Sequence, residues 1–243
     1  MGATQLLKSS MIMNKYLLYI KSILLVFCIT VAVSGCAMKE KHKIEDMKPA
    51  VLLEKGLEHA KKNETTQAIT YLLMVKDRYP YTESAVVASL KLADTYYDLG
   101  ENATAYDFYS EFERFHPKDE NIPYIKYKKG MCFFKQIRGF DREQKYALSA
   151  SVEFIKLINE YPDNEYAIKA RRHHRECLLK LTKFEIYTGD FYFRTKHYLS
   201  ALNRYKYAIK HYPDVGQYHN ALEKISLCKL KLAELDKKEL PEQ

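Results

Sequence analysis

Between residues 50 and 236, small and large apolar positions recur in a fixed register, and each register closes on an aromatic residue followed by proline. These closing pairs are Tyr79-Pro80, His116-Pro117, Tyr161-Pro162 and Tyr212-Pro213. Eleven residues before each aromatic stands an alanine: Ala68, Ala105, Ala150 and Ala201. Four residues after each alanine comes a large side chain: Leu72, Tyr109, Phe154 and Tyr205. Such offsets put all three positions on one face of a helix. Proline then ends the helix, because it has no amide hydrogen to donate and pushes the residue before it out of helical geometry. Eight residues after each proline lies Ala88, Ile125, Ala170 or Ala221, a small or apolar position that lets a second helix approach closely. The predicted unit is a helix pair in which small residues of one helix receive large residues of its neighbour.

With its alanines and terminal proline, the unit resembles the tetratricopeptide repeat. The prolines are 37, 45 and 51 residues apart, against about 34 in the standard repeat, so the array is irregular. An insert at Ile137-Arg138-Gly139-Phe140-Asp141-Arg142-Glu143-Gln144 accounts for the 45-residue interval. The 51-residue interval has no clear breaker between Asn164 and Thr188. It therefore predicts one long helix to about Thr195, with Gly189 tolerated inside it or bending it. The expected fold class is all-α: a superhelical array (α-solenoid) of about five helix pairs over residues 50–236, counting unpaired ends, followed by a polar tail at 237–243.

The N-terminal pattern differs. Lys15 and Lys21 precede an apolar run from Ile23 to Val33 that contains one threonine. The run is short of the roughly 20 residues of a membrane span and has the shape of a secretory signal. It leads into Val33-Ser34-Gly35-Cys36, which resembles a bacterial lipobox: an aliphatic residue, two small ones, then the cysteine whose thiolate takes the lipid. Residues 1–35 are expected to be a lipoprotein signal peptide, with 1–12 a start-site extension ahead of Met13-Asn14-Lys15. Cys36 is expected to carry the lipid, and residues 36–49 to be a polar tether. In lipoproteins of this kind an Asp after the cysteine retains the protein at the inner membrane; Ala37 stands here, so the resemblance implies the outer membrane.

Composition narrows the function. Eight glycines and seven prolines in 243 residues are too few turn-formers for a many-stranded sandwich. No two glycines are spaced for a phosphate-binding loop, and no GxSxG, HExxH or catalytic triad is present. No enzyme activity, cofactor or metal is expected. Of the net charge of +8, three units belong to Lys8, Lys15 and Lys21; the remaining +5 is dispersed among acids and does not make a nucleic-acid surface. Cys132, Cys177 and Cys228 each follow their proline by fifteen residues, with Thr95 equivalent in the first unit. Equivalent positions sit a repeat apart, so these are expected to be free, buried packing residues. His173 and Cys177 are four apart, as paired metal ligands on a helix are. No second pair accompanies them and Arg171, Arg172 and Arg175 crowd the segment, so a solvated basic helix face is the expected reading. The 21 tyrosines, Tyr96-Tyr97 and Tyr205 with Tyr207 among them, suit repeat packing first and a peptide-binding surface second.

Several strings point further: Gln67-Ala68-Ile69 with Arg78-Tyr79-Pro80; Tyr96-Tyr97; His116-Pro117 through Asn121-Ile122 to Tyr127 and Gly130; Asp141-Arg142-Glu143-Gln144; and Asn203-Arg204 before Tyr212-Pro213-Asp214. With the lipobox, they make the chain resemble the BamD/ComL family, lipoproteins of the bacterial β-barrel assembly machine, from the signal onward. The resemblance implies a non-enzymatic scaffold, lipid-anchored in the outer membrane and facing the periplasm. Its implied partners are the barrel-assembly protein, through a POTRA domain, other lipoproteins of the machine, and unfolded outer-membrane clients. The C-terminal half, 146–236, would hold the barrel-assembly protein around Arg194, Lys196 and Arg204. The N-terminal half, 50–135, would take the client's C-terminal signal strand near Arg78, Tyr79, Tyr96 and Tyr97. At the turn after the long helix the family pattern is Glu-Arg-Gly, whereas this chain has Arg194-Thr195-Lys196. The family insert is also longer than residues 137–146, which bears on docking of an accessory lipoprotein. The alternative reading is another periplasmic repeat lipoprotein, an adaptor for peptidoglycan enzymes.

Overall fold

The computed structural model describes residues 47–139, 141–142, 144–213 and 215–239. The expected signal segment, Cys36 and most of the tether lie outside the described residues. The described residues form nine helices: α1 Pro49–Lys61, α2 Thr65–Arg78, α3 Glu83–Asp98, α4 Asn102–Phe115, α5 Ile122–Phe134, α6 Lys145–Glu160, α7 Glu165–Arg194, α8 Tyr198–His211 and α9 Tyr218–Glu239. The chain divides into two units, residues 1–52 and 53–243. Only residues 47–52 of the first are described, and the packing that follows belongs to the second.

The register read from the sequence is the one that packs. Helices α2, α4, α6 and α8 end at Tyr79, His116, Tyr161 and Tyr212, whose ψ angles of 50 to 61° leave the helical region, as a residue before proline must. Ala68, Ala105, Ala150 and Ala201 are fully buried, and so are Leu72, Tyr109, Phe154 and Tyr205. Four pairs result, α1/α2, α3/α4, α5/α6 and α7/α8, with α9 opening a fifth. The predicted long helix is α7, 30 residues without a break. The predicted insert is the non-helical connection between α5 and α6.

Each large residue lands on a small one in the preceding helix. A Cβ on Gly130 would meet Phe154 Cε1 at 2.4 Å, and one on Gly189 would meet Tyr205 Cε1 at 2.5 Å. On Gly56 it would meet Leu72 Cδ2 at 2.9 Å. Ala93 holds the same register ahead of Tyr109, in one core cluster with it. Gly189 is therefore the seat of the Tyr205 ring within a continuous helix.

Within three of the pairs one turn is built three times. Asn63, Gly100 and Lys196 have φ of 58, 79 and 63°, the left-handed region. The next residue of each turn donates its N–H back into the helix: Glu64 to His59, Glu101 to Tyr96 and His197 to Tyr192, at 2.9 to 3.0 Å. This is the left-handed C-terminal cap that satisfies the last carbonyls of a helix. The insert takes its place between α5 and α6.

Long-range contacts sort the helices into two layers. Odd-numbered helices touch one another: Tyr124 of α5 bonds Asp94 of α3, and Lys224 of α9 bonds Asp190 of α7. Even-numbered ones do likewise: Lys76 of α2 pairs with Glu111 of α4, and Tyr106 of α4 bonds Glu153 of α6.

Candidate docking surfaces

In the N-terminal half, the four residues expected to receive a client strand lie in two places. Arg78 and Tyr79 end α2, beside the start of α3, whereas Tyr96 and Tyr97 lie near its far end. At 1.5 Å per residue these positions are about 20 Å apart. Tyr96 and Tyr97, being consecutive, also point in different directions. Tyr96 stacks on Phe108 of α4, with centroids 5.1 Å apart, and so serves packing between layers. Tyr97 turns toward α5, where the ammonium groups of Lys128 and Lys135 lie 3.8 and 3.6 Å from its ring centroid. Burial, with the charge of Lys135 adding to it, holds Lys128 below the usual lysine range against the pull of Asp94 and Asp98. On the α1 side of α3 opens a cleft of about 380 Å³ lined by Leu57, Lys61, Lys91, Thr95, Asp98 and Leu99.

Asp94 ties this region together. Its Oδ1 accepts from the hydroxyls of Tyr109 and Tyr124, at 2.7 and 2.6 Å, and so joins α3, α4 and α5. Burial first, and then the Asp94 carboxylate, raise both phenols well above the ordinary tyrosine value, so they donate at every physiological pH. The C-terminal half repeats the device. Asp190 Oδ1 accepts from Tyr205 and from Lys224, both at 2.6 Å, and joins α7, α8 and α9. Neither aspartate was singled out from the sequence, although a signal is there. Each lies fifteen residues before the large tyrosine of its pair. Where that large residue is Leu72, with no hydroxyl, the position fifteen before it is Leu57; ahead of Phe154, where the insert lengthens the interval to 23 residues, the residue that follows Gly130 is Met131.

Between the halves, α5 carries two nearly buried lysines in an ionic network. Lys126 reaches Glu113 at 2.6 Å and Glu160 at 2.9 Å; Lys129 reaches Glu113 at 2.8 Å and Glu153 at 3.8 Å. Burial alone would raise the Glu113 carboxyl, but the bonds and charges of both lysines outweigh it and hold the group below its ordinary value.

Of the residues expected to hold the barrel-assembly protein, Arg194 ends α7 and is exposed. Lys196 is the left-handed residue of the following turn, the position for which the resemblance gives glycine. Arg204, on α8, donates to Glu185 of α7 at 3.1 Å and is half exposed. Beyond them α9 exposes Leu227 and Leu230 beside an open groove also lined by His219, Leu222, Glu223 and Ser226.

The segment expected to be a solvated basic face divides in two, which corrects that expectation. Arg171, Arg172 and Arg175 are exposed, but His173 and Cys177 are buried. The imidazole packs on Phe134, Phe154 and Tyr127, at centroid distances of 4.6, 5.8 and 6.0 Å, and burial lowers its pKa. Among the described residues no three His, Cys, Asp or Glu side chains converge as metal ligands would. Cys132, Cys177 and Cys228 are free and fully buried, as expected. Burial pushes the Cys132 and Cys177 thiols up to about 12.

A family model described as YfiO, outer membrane lipoprotein, matches residues 45–240. The chain is 26% identical over 199 residues to the outer membrane protein assembly factor BamD of Vibrio cholerae, covering 78% of this chain and 82% of that one. It is 25% identical over 238 residues to the BamD of Neisseria gonorrhoeae, covering 90% and 87%. Among solved structures, the tetratricopeptide domain of P58(IPK) aligns with 75% of this chain and 46% of its own length, at 17% identity and a TM-score of 0.46.

Proposed function

Because the chain belongs to the YfiO family of outer membrane lipoproteins, we propose that it is an outer membrane protein assembly factor, a non-enzymatic scaffold in the insertion of β-barrel proteins. The observation that carries this reading is the extent of the family match: residues 45–240 take in all nine described helices, so both halves of the array are shared.

In this reading the C-terminal half holds the barrel-assembly protein, through a POTRA domain, around Arg194, Lys196 and Arg204. Arg194 has no carboxylate within ion-pair distance among the described residues, which leaves its guanidinium to an acidic partner group. Lys196 owes its backbone conformation to the turn, and Arg204 already answers Glu185. The N-terminal half receives the C-terminal signal strand of an unfolded client at the odd-helix layer, near Tyr97, with Arg78, Tyr79 and Tyr96 framing α3. A row of helices suits an extended peptide whose side chains enter successive gaps. Release of the client requires a modest interface. The lipid on Cys36 holds the scaffold to the outer membrane from the periplasmic side; two or more acyl chains make such anchoring stable.

The test is co-purification from detergent-solubilised outer membranes. The barrel-assembly protein and its companion lipoproteins are expected with the tagged chain, and Arg194→Glu is expected to reduce their recovery. Recovery of peptidoglycan hydrolases in their place would overturn the reading. For the anchor, Cys36→Ser should abolish palmitate labelling and leave unprocessed precursor; persistent label would refute it.

A further inference from the structure

Three of the helix pairs are locked by one motif that occurs on both helices. On the odd helix a small residue is followed four positions later by a large one: Ala93 and Tyr97, Gly130 and Phe134, Gly189 and Phe193. The even helix has the same spacing: Ala105 and Tyr109, Ala150 and Phe154, Ala201 and Tyr205. The helices of a pair run antiparallel, so each small residue faces the large one of its neighbour. Phe154 and Tyr205 lie on Gly130 and Gly189. Tyr97, Phe134 and Phe193 return the contact, each packed in the cluster that holds Ala105, Ala150 or Ala201. Exchanging the two helices leaves the motif unchanged, so the lock is pseudo-symmetric.

Helix α9 carries the motif once more, on its open side. Ser226 stands thirteen residues after Pro213, as Ala93 and Gly130 stand thirteen after Pro80 and Pro117, and Leu230 follows four residues on. Both line the open groove and are exposed, Leu230 to 56%. Among the described residues no helix follows α9 to cover them. The Ser226 hydroxyl donates to the Leu222 carbonyl at 3.1 Å, so it is satisfied within the helix and does not oppose burial. A helix that bears both halves of a symmetric lock is complementary to its own copy.

We propose that α9 pairs antiparallel with α9 of a second copy of this chain, about a two-fold axis level with residue 228. Leu230 of each copy then sits on the partner's Ser226, an isologous contact. In the same register Glu223 lies opposite the partner's Ala233, with the partner's Lys229 and Lys237 one turn to either side, so the acid of this face meets two cations. One helix face falls short of the roughly 800 Å² per partner of a standard interface, so the dimer is reversible and forms at high local concentration.

The experiment is sedimentation equilibrium of the full chain in detergent, from about 1 μM to about 1 mM, with a dissociation constant of micromolar order expected. Ser226→Ala keeps the seat small and should leave that constant within about twofold. Ser226→Phe fills the seat and Leu230→Glu puts a charge on it; each should weaken the dimer at least about tenfold. Both positions are exposed, so far-UV circular dichroism should not change. A Glu223→Cys chain mixed with an Ala233→Cys chain should form the mixed disulfide faster than either forms its own, since like positions lie about 15 Å apart along the axis. A monomer at every concentration would overturn the proposal, and so would a dimer indifferent to Ser226→Phe and Leu230→Glu. A photo-crosslinker at Leu227 that traps only other envelope proteins in cells would assign the face to a different helix and overturn the second copy.

Discussion

Replacing Gly189 by alanine tests the packing rule on which the array is built. The added Cβ would stand 2.5 Å from Tyr205 Cε1 and 2.9 Å from Cδ1 and Cζ, closer than side-chain carbons approach one another. The ring has no room to give, because Tyr205 is 1% exposed and its hydroxyl is anchored on Asp190 at 2.6 Å. Overpacking of a filled core costs about 1–3 kcal/mol. If the ring swings instead, a hydrogen bond to a charged group worth about 1.5–3 kcal/mol is lost. Alanine returns about 1 kcal/mol of helix propensity over glycine. The net is about 1 kcal/mol of destabilisation, which in a chain of this size lowers Tm by roughly 2–4 °C. Thermal unfolding followed by far-UV circular dichroism measures it. Gly56→Ala is the control: its Cβ meets Leu72 Cδ2 at 2.9 Å and Cγ at 3.0 Å, farther than the 2.5 Å at Gly189 and against a side chain that no hydrogen bond anchors, so propensity and crowding are expected to cancel to within about 1 kcal/mol. Adding Tyr205→Leu to Gly189→Ala should recover part of the loss by making the two changes non-additive. An unchanged or raised Tm for Gly189→Ala alone would refute the reasoning.

Other consequences can be measured on the same chain. Lys196→Gly removes the left-handed strain of an L-residue, about 1–2 kcal/mol, against about 0.5–1 kcal/mol of glycine entropy; a Tm raised by a degree or two is expected, and a lowered one would contradict the turn assignment. Asp94→Ala leaves the fully buried Tyr109 hydroxyl without its acceptor and should destabilise by about 1–3 kcal/mol. Tyr109→Phe in the same chain should recover part of that in urea unfolding, as the Phe154–Met131 pair already does without a hydroxyl. The Glu113 carboxyl is held below the ordinary glutamate value of 4.5 by Lys126 and Lys129. Its contribution is therefore full above that pH and lost as pH falls through the folded value. Stability measured from pH 6 down to pH 3 should fall less steeply in Glu113→Gln, and equal slopes would exclude the network as a source of acid sensitivity.

Helix boundaries, the long α7 and the insert were legible because each depends on a local pattern: alanine and large residue one turn apart, proline after an aromatic, and an interval too long by a fixed amount. What those patterns pair with was not legible. Gly56, Gly130 and Gly189 look like weak points of helices until Leu72, Phe154 and Tyr205 are seen lying on them. Asp94 and Asp190 look solvated until the hydroxyls of other helices reach them. His173 was hidden by its neighbours: Ala170, His173 and Cys177 continue one buried stripe at spacings of three and four, while Arg171, Arg172 and Arg175 around them suggested water. In the candidate site, Tyr96 and Tyr97 are adjacent letters that turn about 100° apart on a helix. One packs the core and the other meets Lys128 and Lys135, a juxtaposition that no spacing in the sequence announces.

The central claim, one scaffold with a client end and a partner end, is tested most directly by photo-crosslinking in cells from single positions at the two ends. A crosslinker beside Tyr97 should trap nascent outer-membrane proteins through their C-terminal segments. One beside Arg194 should trap the barrel-assembly protein through a periplasmic domain. The same adducts from both positions, or envelope enzymes with no barrel component from either, would contradict the account.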